Sequence, residues 1–213
     1  MYRDLSQPIR TGMGTYPGDP EVSVESVATV EADGYRVSGI ECSTHTGTHV
    51  DAPSHVGVGD HIDAFGVERF VFDARVVDCT GTGAREPIGP AALPEDDAGG
   101  MVVLHTGWDD DWGTARYLDH PYLTAAAAER CVEAGWSVGL DTLSPDPTPS
   151  PNAASDEPAG VPAHRRLLGN DLFVVENLTR LAGLGRCRLF AVPLPVGDGD
   201  GSPVRAFATD ADQ

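Results

Sequence analysis

Short β-branched runs punctuated by Gly- and Pro-bearing turns recur along most of this chain, and that rhythm points to a domain built around a sheet. Strands are expected over Val22–Val30, Tyr35–Cys42, Phe70–Cys79, Met101–His105, Ser137–Leu140, Leu172–Glu176 and Arg188–Leu194. Turn signals such as Pro17-Gly18-Asp19 and Asp33-Gly34 bound them. The clearest helix is Thr124–Ala134, where Ala125–Ala128, Glu129, Arg130 and Glu133 favour helix and Gly135 can cap its end. A shorter helix is expected over Gly89–Leu93. Many strands with few helices imply a mixed α/β or α+β domain with a large sheet. At 213 residues, one domain spanning 1–213 is expected. Two segments read as irregular: Gly81–Gly100, and Ser144–Pro162 with six prolines and almost no large apolar residue. A loop as long as the second is usually a functional lid or a strap. The tail Thr209–Gln213 is expected to fray.

Charge narrows the function classes. Fourteen Lys and Arg against 33 Asp and Glu give a net charge of −19. Binding to nucleic acid or an anionic membrane needs clustered positive charge, so neither partner is expected. The amino terminus lacks the apolar run of a signal peptide, and no apolar stretch approaches the ~18–20 residues that cross a bilayer. The four cysteines, Cys42, Cys79, Cys131 and Cys187, are scattered without a CxxC pair. A soluble, cytoplasmic protein is expected.

The chemistry concentrates in His45-Thr-Gly47-Thr-His49-Val-Asp51-Ala-Pro53-Ser-His55. Three of the seven histidines and one aspartate fall within eleven residues, and these are metal-ligand types. On a straight strand His45 and His49 would stand roughly 13 Å apart, too far for one metal with bonds near ~2.1 Å. A continuous helix would join those two but rotate Asp51 away, and Gly47 and Pro53 disfavour it. The segment is therefore expected to curl, with Gly47 permitting the close turn. The alternative is a polar surface loop that happens to carry histidines. Leu172-Phe-Val-Val-Glu176-Asn-Leu178 adds a carboxylate on an apolar strand face, which is costly unless a cation compensates it. That cation is either a metal or an arginine, with Arg165, Arg166 and Arg180 as candidates. His164 lies twelve residues before Glu176, where the chain leaves the Pro-rich loop.

Other residues carry less chemistry. Asp141 and Asp146 fit acids behind a metal site or simple turn and strand-end roles. His61 reads as a surface or capping residue, and His105 and His120 as structural or exposed. Cys42 is expected in the core. Trp136 reads as core, Trp108 and Trp112 as candidates for lining a pocket, and Asp109–Asp111 as a solvated loop.

Taken in order, these motifs resemble the metal-dependent cyclase-like hydrolases, whose best-known members are bacterial kynurenine formamidases. His45 to His55 matches the HxGTHxDxPxH signature at every fixed position. Tyr16-Pro-Gly-Asp-Pro20 resembles an early WPGD segment, and Gly139-Leu-Asp141-Thr-Leu-Ser144-Pro-Asp146-Pro a GIDxxSxDP stretch. His164, Glu176-Asn-Leu178 and Pro193-Leu-Pro…Gly201-Ser-Pro203-Val-Arg205-Ala complete the series.

The resemblance implies a swivelling β/β/α sandwich with a large mixed sheet, commonly a homodimer. It also implies two divalent ions, zinc or in some relatives manganese. By position, His45, His49 and Asp51 would hold the first ion, with Asp51 bridging to a second held by His164, while Glu176 contacts both. His55 would be the general acid/base. Tyr16 stands where the formamidases place a substrate-contacting Trp. The implied activity is hydrolysis of an aryl formamide such as N-formylkynurenine, a small-molecule substrate. Ring-opening of a cyclic amide or lactone, as in isatin hydrolases, or a biosynthetic cyclisation shares the same metal logic. A non-catalytic metal-binding protein is the remaining class, and His55 speaks against it.

Overall fold

The structure is a computed structural model that describes residues 1–210. Its strands in chain order are β1 (Tyr2–Asp4), β2 (Ser23–Ala28), β3 (Val37–Glu41), β4 (His49–Asp51), β5 (Val71–Asp78), β6 (Pro87–Ile88) and β7 (Met101–His105). There follow β8 (Tyr122–Leu123), β9 (Ser137–Leu140), β10 (Val174–Glu176), β11 (Arg186–Phe190), β12 (Gly201–Pro203) and β13 (Phe207–Asp210). Nine of them make one mixed sheet in the order β1-β13-β11-β5-β7-β9-β10-β4-β12. Neighbours from β5 through β7 and β9 to β10 run parallel, and the outer pairs run antiparallel. The strands β2 and β3, joined through the short helix α1 (Val30–Asp33), form a separate hairpin, and β6 pairs with β8.

Alternation along β7 shows how the sheet divides two cores. Met101 and Val103 join an aromatic-rich layer with Phe70, Phe72, Phe173 and Leu189. Val102 and Leu104 face the opposite layer, made by Ala127, Ala128 and Cys131 of α2 (Ala125–Ala134) and Ala163, Leu167 and Leu168 of α3 (Pro162–Leu168). Central parallel strands covered on both faces must be apolar throughout, and Met101–Leu104 are all buried. Each large side chain fully buried there contributes roughly 1.5–3 kcal/mol.

Expected strands form at all seven positions, five of them with shifted ends. The helix α2 forms as expected, with Thr124 accepting from the Ala127 N–H at 3.1 Å and Gly135 closing its end at φ +71°. The Gly89–Leu93 helix is only a 3-10 turn over Pro90–Ala92. The short strands β1, β4, β12 and β13 and the helix α3 were not expected from the sequence. Nor does the tail fray from Thr209: Thr209 and Asp210 belong to β13, and residues 211–213 lie outside the described residues. Cys42 is exposed rather than packed in the core, because it follows the solvent-facing β3. Asp109 is not merely solvated: its carboxylate accepts from the Thr179 hydroxyl at 2.7 Å and the Arg180 N–H at 3.1 Å. Trp136 is buried in the helix-covered layer, as expected.

The Pro-rich segment carries no named helix or strand before α3, yet it is tied down as a strap. Arg85 donates through Nε to Glu157 at 2.6 Å, and its Nη2 also contacts Glu157. Its Nη1 reaches the Leu118 and Thr148 carbonyls at 3.2 and 3.1 Å and Asp119 at 3.4 Å. His120 adds a second anchor, 2.7 Å from the Thr148 hydroxyl; burial lowers its pKa to about 4, so the ring is neutral there. The Arg85, Asp119 and Glu157 side chains are only 9–12% exposed, so an uncompensated carboxylate would be expensive. Replacing Arg85 with Ala should lower unfolding stability in urea by about 3 kcal/mol. A loss under ~1 kcal/mol would mean that water replaces the guanidinium at no penalty.

Candidate metal centre

The histidine-rich segment curls, as its spacing predicts. Residues 43–48 turn, Gly47 sits at φ +61°, β4 follows, and a 3-10 turn over Pro53–Val56 brings His55 round. The turn is held by its own carbonyl: Gly47 O lies 2.8 Å from His49 Nδ1 and accepts from Asn177 Nδ2 at 2.9 Å. Sheet pairing then recruits remote residues, because β4 lies between β10 and β12. Glu176 stands opposite His49 on one side and Gly201 opposite Asp51 on the other. The first turn of α3 supplies His164.

These elements bring His45, His49, Asp51, His164 and Glu176 together. His49 Nε2 lies 3.2 Å from both Asp51 Oδ1 and Glu176 Oε2. His164 Nε2 lies 3.1 Å from Glu176 Oε1 and 3.5 Å from Asp51 Oδ2. His45 Nδ1 is 2.8 Å from Asp51 Oδ1. The arginine alternative for Glu176 fails: Arg166 pairs with Glu129 and Arg180 with Asp4, and among the described residues Glu176 pairs only with histidines.

Proton placement explains what this cluster is shaped to hold. Nδ1 of His49 donates to a carbonyl, and Nδ1 of His164 is 2.8 Å from the Asp146 carboxylate, which keeps the proton on that nitrogen. In the neutral rings both Nε2 lone pairs then face the buried Asp51 and Glu176 carboxylates, acceptor against acceptor. Consistently, His49 Nε2, Asp51 Oδ2 and Glu176 Oε1 are buried without a hydrogen-bond partner. Only cations resolve that conflict, and the donor set suits a divalent ion. Two sets sharing Asp51, namely His45–His49–Asp51 and Asp51–His164–Glu176, each keep their ligand atoms within 4.8 Å and can hold a metal ion.

Without metal, protons do the same work. Burial pushes His45 down, but its contacts with Asp200 and Asp51 outweigh this and raise its pKa to about 9. Burial opposes the charge on His49 as well, yet Asp51 and Glu176 lift it to about 10. His164 rises for the same reason, through Asp146, Asp51 and Glu176. Burial raises Asp51 and Glu176, but the surrounding imidazoles hold both below their ordinary values.

Two residues outside the expected ligand set belong to the site. Asp146 orients His164 and also caps α3, accepting from the Ala163 and His164 N–H groups at 2.8 and 3.0 Å. The sequence leaves it open between an acid behind the metal site and a turn or strand-end role, because its spacing to His164 gives no local signal, and the structure gives it the first of these. Asp200 carries no signal in the sequence; it immediately precedes β12, whose pairing with β4 sets it 3.0 Å from His45 Nε2 and 3.3 Å from His55 Nδ1. Asp141 stays structural, accepting from the Thr106 and Gly107 backbone N–H groups. His61 is exposed ahead of a 3-10 turn.

A pocket of about 220 Å³ opens over the cluster, lined by Tyr16, Asp19, His55, Leu143, Ser144 and Val161 besides His45, His49, His164 and Glu176. His55 is 30% exposed at its side chain, and its ring lies tilted to its neighbours, with centroids 4.1 Å from His45 and 5.6 Å from His164. Trp108 and Trp112 pack behind Leu143 and Tyr16 and do not line the pocket themselves.

The histidine shifts set a pH test. Groups raised from about 6.5 to about 9 or 10 stabilise the metal-free protein fully below pH ~6.5 and lose that contribution as pH climbs through those values. Metal must displace the same protons. Zinc titrated into metal-free protein at pH 7 should release at least one proton per ion, seen as buffer-dependent heats in calorimetry, and bind more tightly from pH 6 to 9. Uptake without proton release would refute the charged imidazoles.

Comparisons place this geometry among known proteins. The "Putative cyclase" family model matches residues 3–147. Kynurenine formamidase of Salinibacter ruber is 34% identical over 98% of this chain and 97% of its own length. The Bacillus cereus kynurenine formamidase of strain ATCC 14579 is 33% identical over 95% and 94%. Among solved structures, isatin hydrolase A from Labrenzia aggregata superposes with a TM-score of 0.85 at 25% identity, covering 99% of this chain and 93% of that one. A predicted metal-dependent hydrolase from Bacillus stearothermophilus shares the fold at a TM-score of 0.78 and 23% identity, over 98% and 97%. The chain therefore belongs to the cyclase family of metal-dependent hydrolases, together with the bacterial kynurenine formamidases.

Proposed function

We propose that this protein hydrolyses an aryl formamide, converting N-formyl-L-kynurenine to L-kynurenine and formate. The observation that carries the proposal is the pair of Nε2 lone pairs aimed at two buried carboxylates, beneath a pocket whose rim holds a further histidine. Near-full-length similarity to kynurenine formamidases supports the substrate.

In this reading His45, His49 and Asp51 hold one ion, and Asp51, His164 and Glu176 a second, zinc by preference and manganese as the alternative. Two bound divalent ions would supply an acidified water and polarisation of the formyl oxygen. The chain's own residues do the rest. Asp146 holds the His164 ring in place, and Asp200 holds those of His45 and His55. With Nδ1 engaged by Asp200, His55 keeps Nε2 to take the proton of the attacking water and return it to the leaving nitrogen. The new C–O bond forms, the C–N bond breaks, the neutral aryl amine leaves with the proton from His55, and formic acid gives up the remaining water proton to solvent and leaves as formate. An imidazole can both accept and donate the proton, and this one is open to the pocket. Tyr16 and Leu143 offer an aromatic and an apolar wall to the ring.

Opening of a cyclic amide is the second reading, favoured by the structural match to isatin hydrolase A. Steady-state hydrolysis decides between them. Protein loaded with Zn²⁺ or Mn²⁺ should process N-formylkynurenine with kcat/KM above ~10⁴ M⁻¹s⁻¹. A negligible rate with both metals verified as bound would remove that substrate in favour of isatin-like rings. His55→Ala should retain its metal and lose at least ~10²-fold in kcat, whereas Asp51→Ala should lose the metal. Full activity in His55→Ala would take that residue out of the reaction.

A homodimer in the cytoplasm completes the proposal. The β2–β3 hairpin exposes Val27 at 69%, Tyr35 at 61% and Ile40 at 63%, outside the main sheet. A lone hairpin is marginal in water, and a second copy would cover these side chains. The exposed thiol of Cys42 suits a reducing compartment. Light scattering should find a dimer that Ile40→Asp converts to monomer; a wild-type monomer would refute it.

A further inference from the structure

One turn presents two recognition groups to the metal pocket. Tyr16-Pro17-Gly18-Asp19 closes with the Asp19 N–H donating to Tyr16 O at 3.0 Å, and Gly18 sits at φ +103°. Proline at the second position and a positive-φ glycine at the third are the requirements of a type II turn, which sets its first and fourth residues side by side. Both of those residues line the pocket. Tyr16 is half-buried against the cluster of Trp108, Tyr117 and Leu143. It lines the same pocket as His164 and Glu176, and burial raises its hydroxyl pKa.

Asp19 differs from the pocket's other carboxylate. Glu176 faces His49 and His164, whereas no ion pair or side-chain hydrogen bond engages the Asp19 carboxylate among the described residues. It is partly buried on the pocket wall, set beside Tyr16 by the turn. A carboxylate held beside an aromatic ring, with its lone pairs unused, complements an aryl substrate that carries a cationic substituent.

We propose that Asp19 is the specificity residue of this pocket and binds the ammonium group of an aryl formamide while Tyr16 packs on its ring. The assignment rests on the aryl-formamide reading above and narrows it to substrates bearing an amino-acid side chain or another cation. Asp19 touches the substrate remote from the scissile bond, so it acts on binding and leaves the chemical step alone.

The test compares two substrates in the metal-loaded enzyme: N-formylkynurenine, and N-(2-acetylphenyl)formamide, which keeps the ring, ketone and formamide but lacks the ammonium. Asp19→Asn preserves shape and removes the charge. It should raise KM for N-formylkynurenine about tenfold, change kcat less than twofold, and leave metal content and both constants for the truncated substrate within twofold. Added salt should erode the wild-type preference and leave the variant's unchanged. Equal losses on both substrates, or no loss on either, would overturn the ammonium site. Wild-type turnover of the truncated substrate alone would also overturn it while sparing the aryl-formamide reading. Wild-type turnover of neither would overturn both.

Discussion

Burying Asp51 and Glu176 within about 3.5 Å of three imidazoles is the arrangement on which the rest of this structure depends. Two carboxylates out of water are strongly unfavourable unless positive charge sits between or beside them. That requirement explains features scattered along the chain. Carbonyl and carboxylate partners behind His49 and His164 keep each ring's proton away from the cluster. The metal ions proposed for the site would then meet lone pairs already aimed at them, with little left to reorganise.

Rigid elements do the aiming. The strand β4 is hydrogen-bonded on both sides, so His49 and Asp51 sit on a backbone that cannot shift without breaking two ladders. Behind it lies the aromatic layer of Phe65, Phe70 and Phe173, whose ring centroids are 5.0–6.4 Å apart. The strap over the far side is irregular but not loose, because Arg85 joins Glu157, Asp119 and two carbonyls in one clasp. Through that clasp the strap leads Val161 to the pocket wall and the chain into α3, which carries His164. Loop residues then supply the pocket rim, His55 from one turn and Tyr16 with Asp19 from another.

Much of this was legible beforehand, and the exceptions share a cause. The curl at Gly47 followed from distance alone, since neither strand nor helix lets His45, His49 and Asp51 converge. The helix α2 followed from alanine-rich propensity with its cap at each end. By contrast α3 starts in a proline-rich stretch without a local cap, and is capped instead by Asp146 from across the loop. The strands β1, β4, β12 and β13 span three or four residues each, too few for an alternation pattern to register. Cys42 misled because burial statistics for cysteine ignore that its own hairpin faces solvent.

The sequence by itself determined the chemistry available: a histidine and carboxylate set of metal-ligand type, a glycine where the chain must turn, and a net charge of −19. It also determined most of the sheet, because β-branched runs bounded by turn residues have few other ways to bury their apolar faces. Tertiary structure alone decided which of these residues meet. Asp200 reaches His45 and His55 because β12 pairs with β4, and Glu176 faces His49 because of the register between β10 and β4. Register is a property of paired strands rather than of either strand alone, so no reading of one segment at a time can supply it.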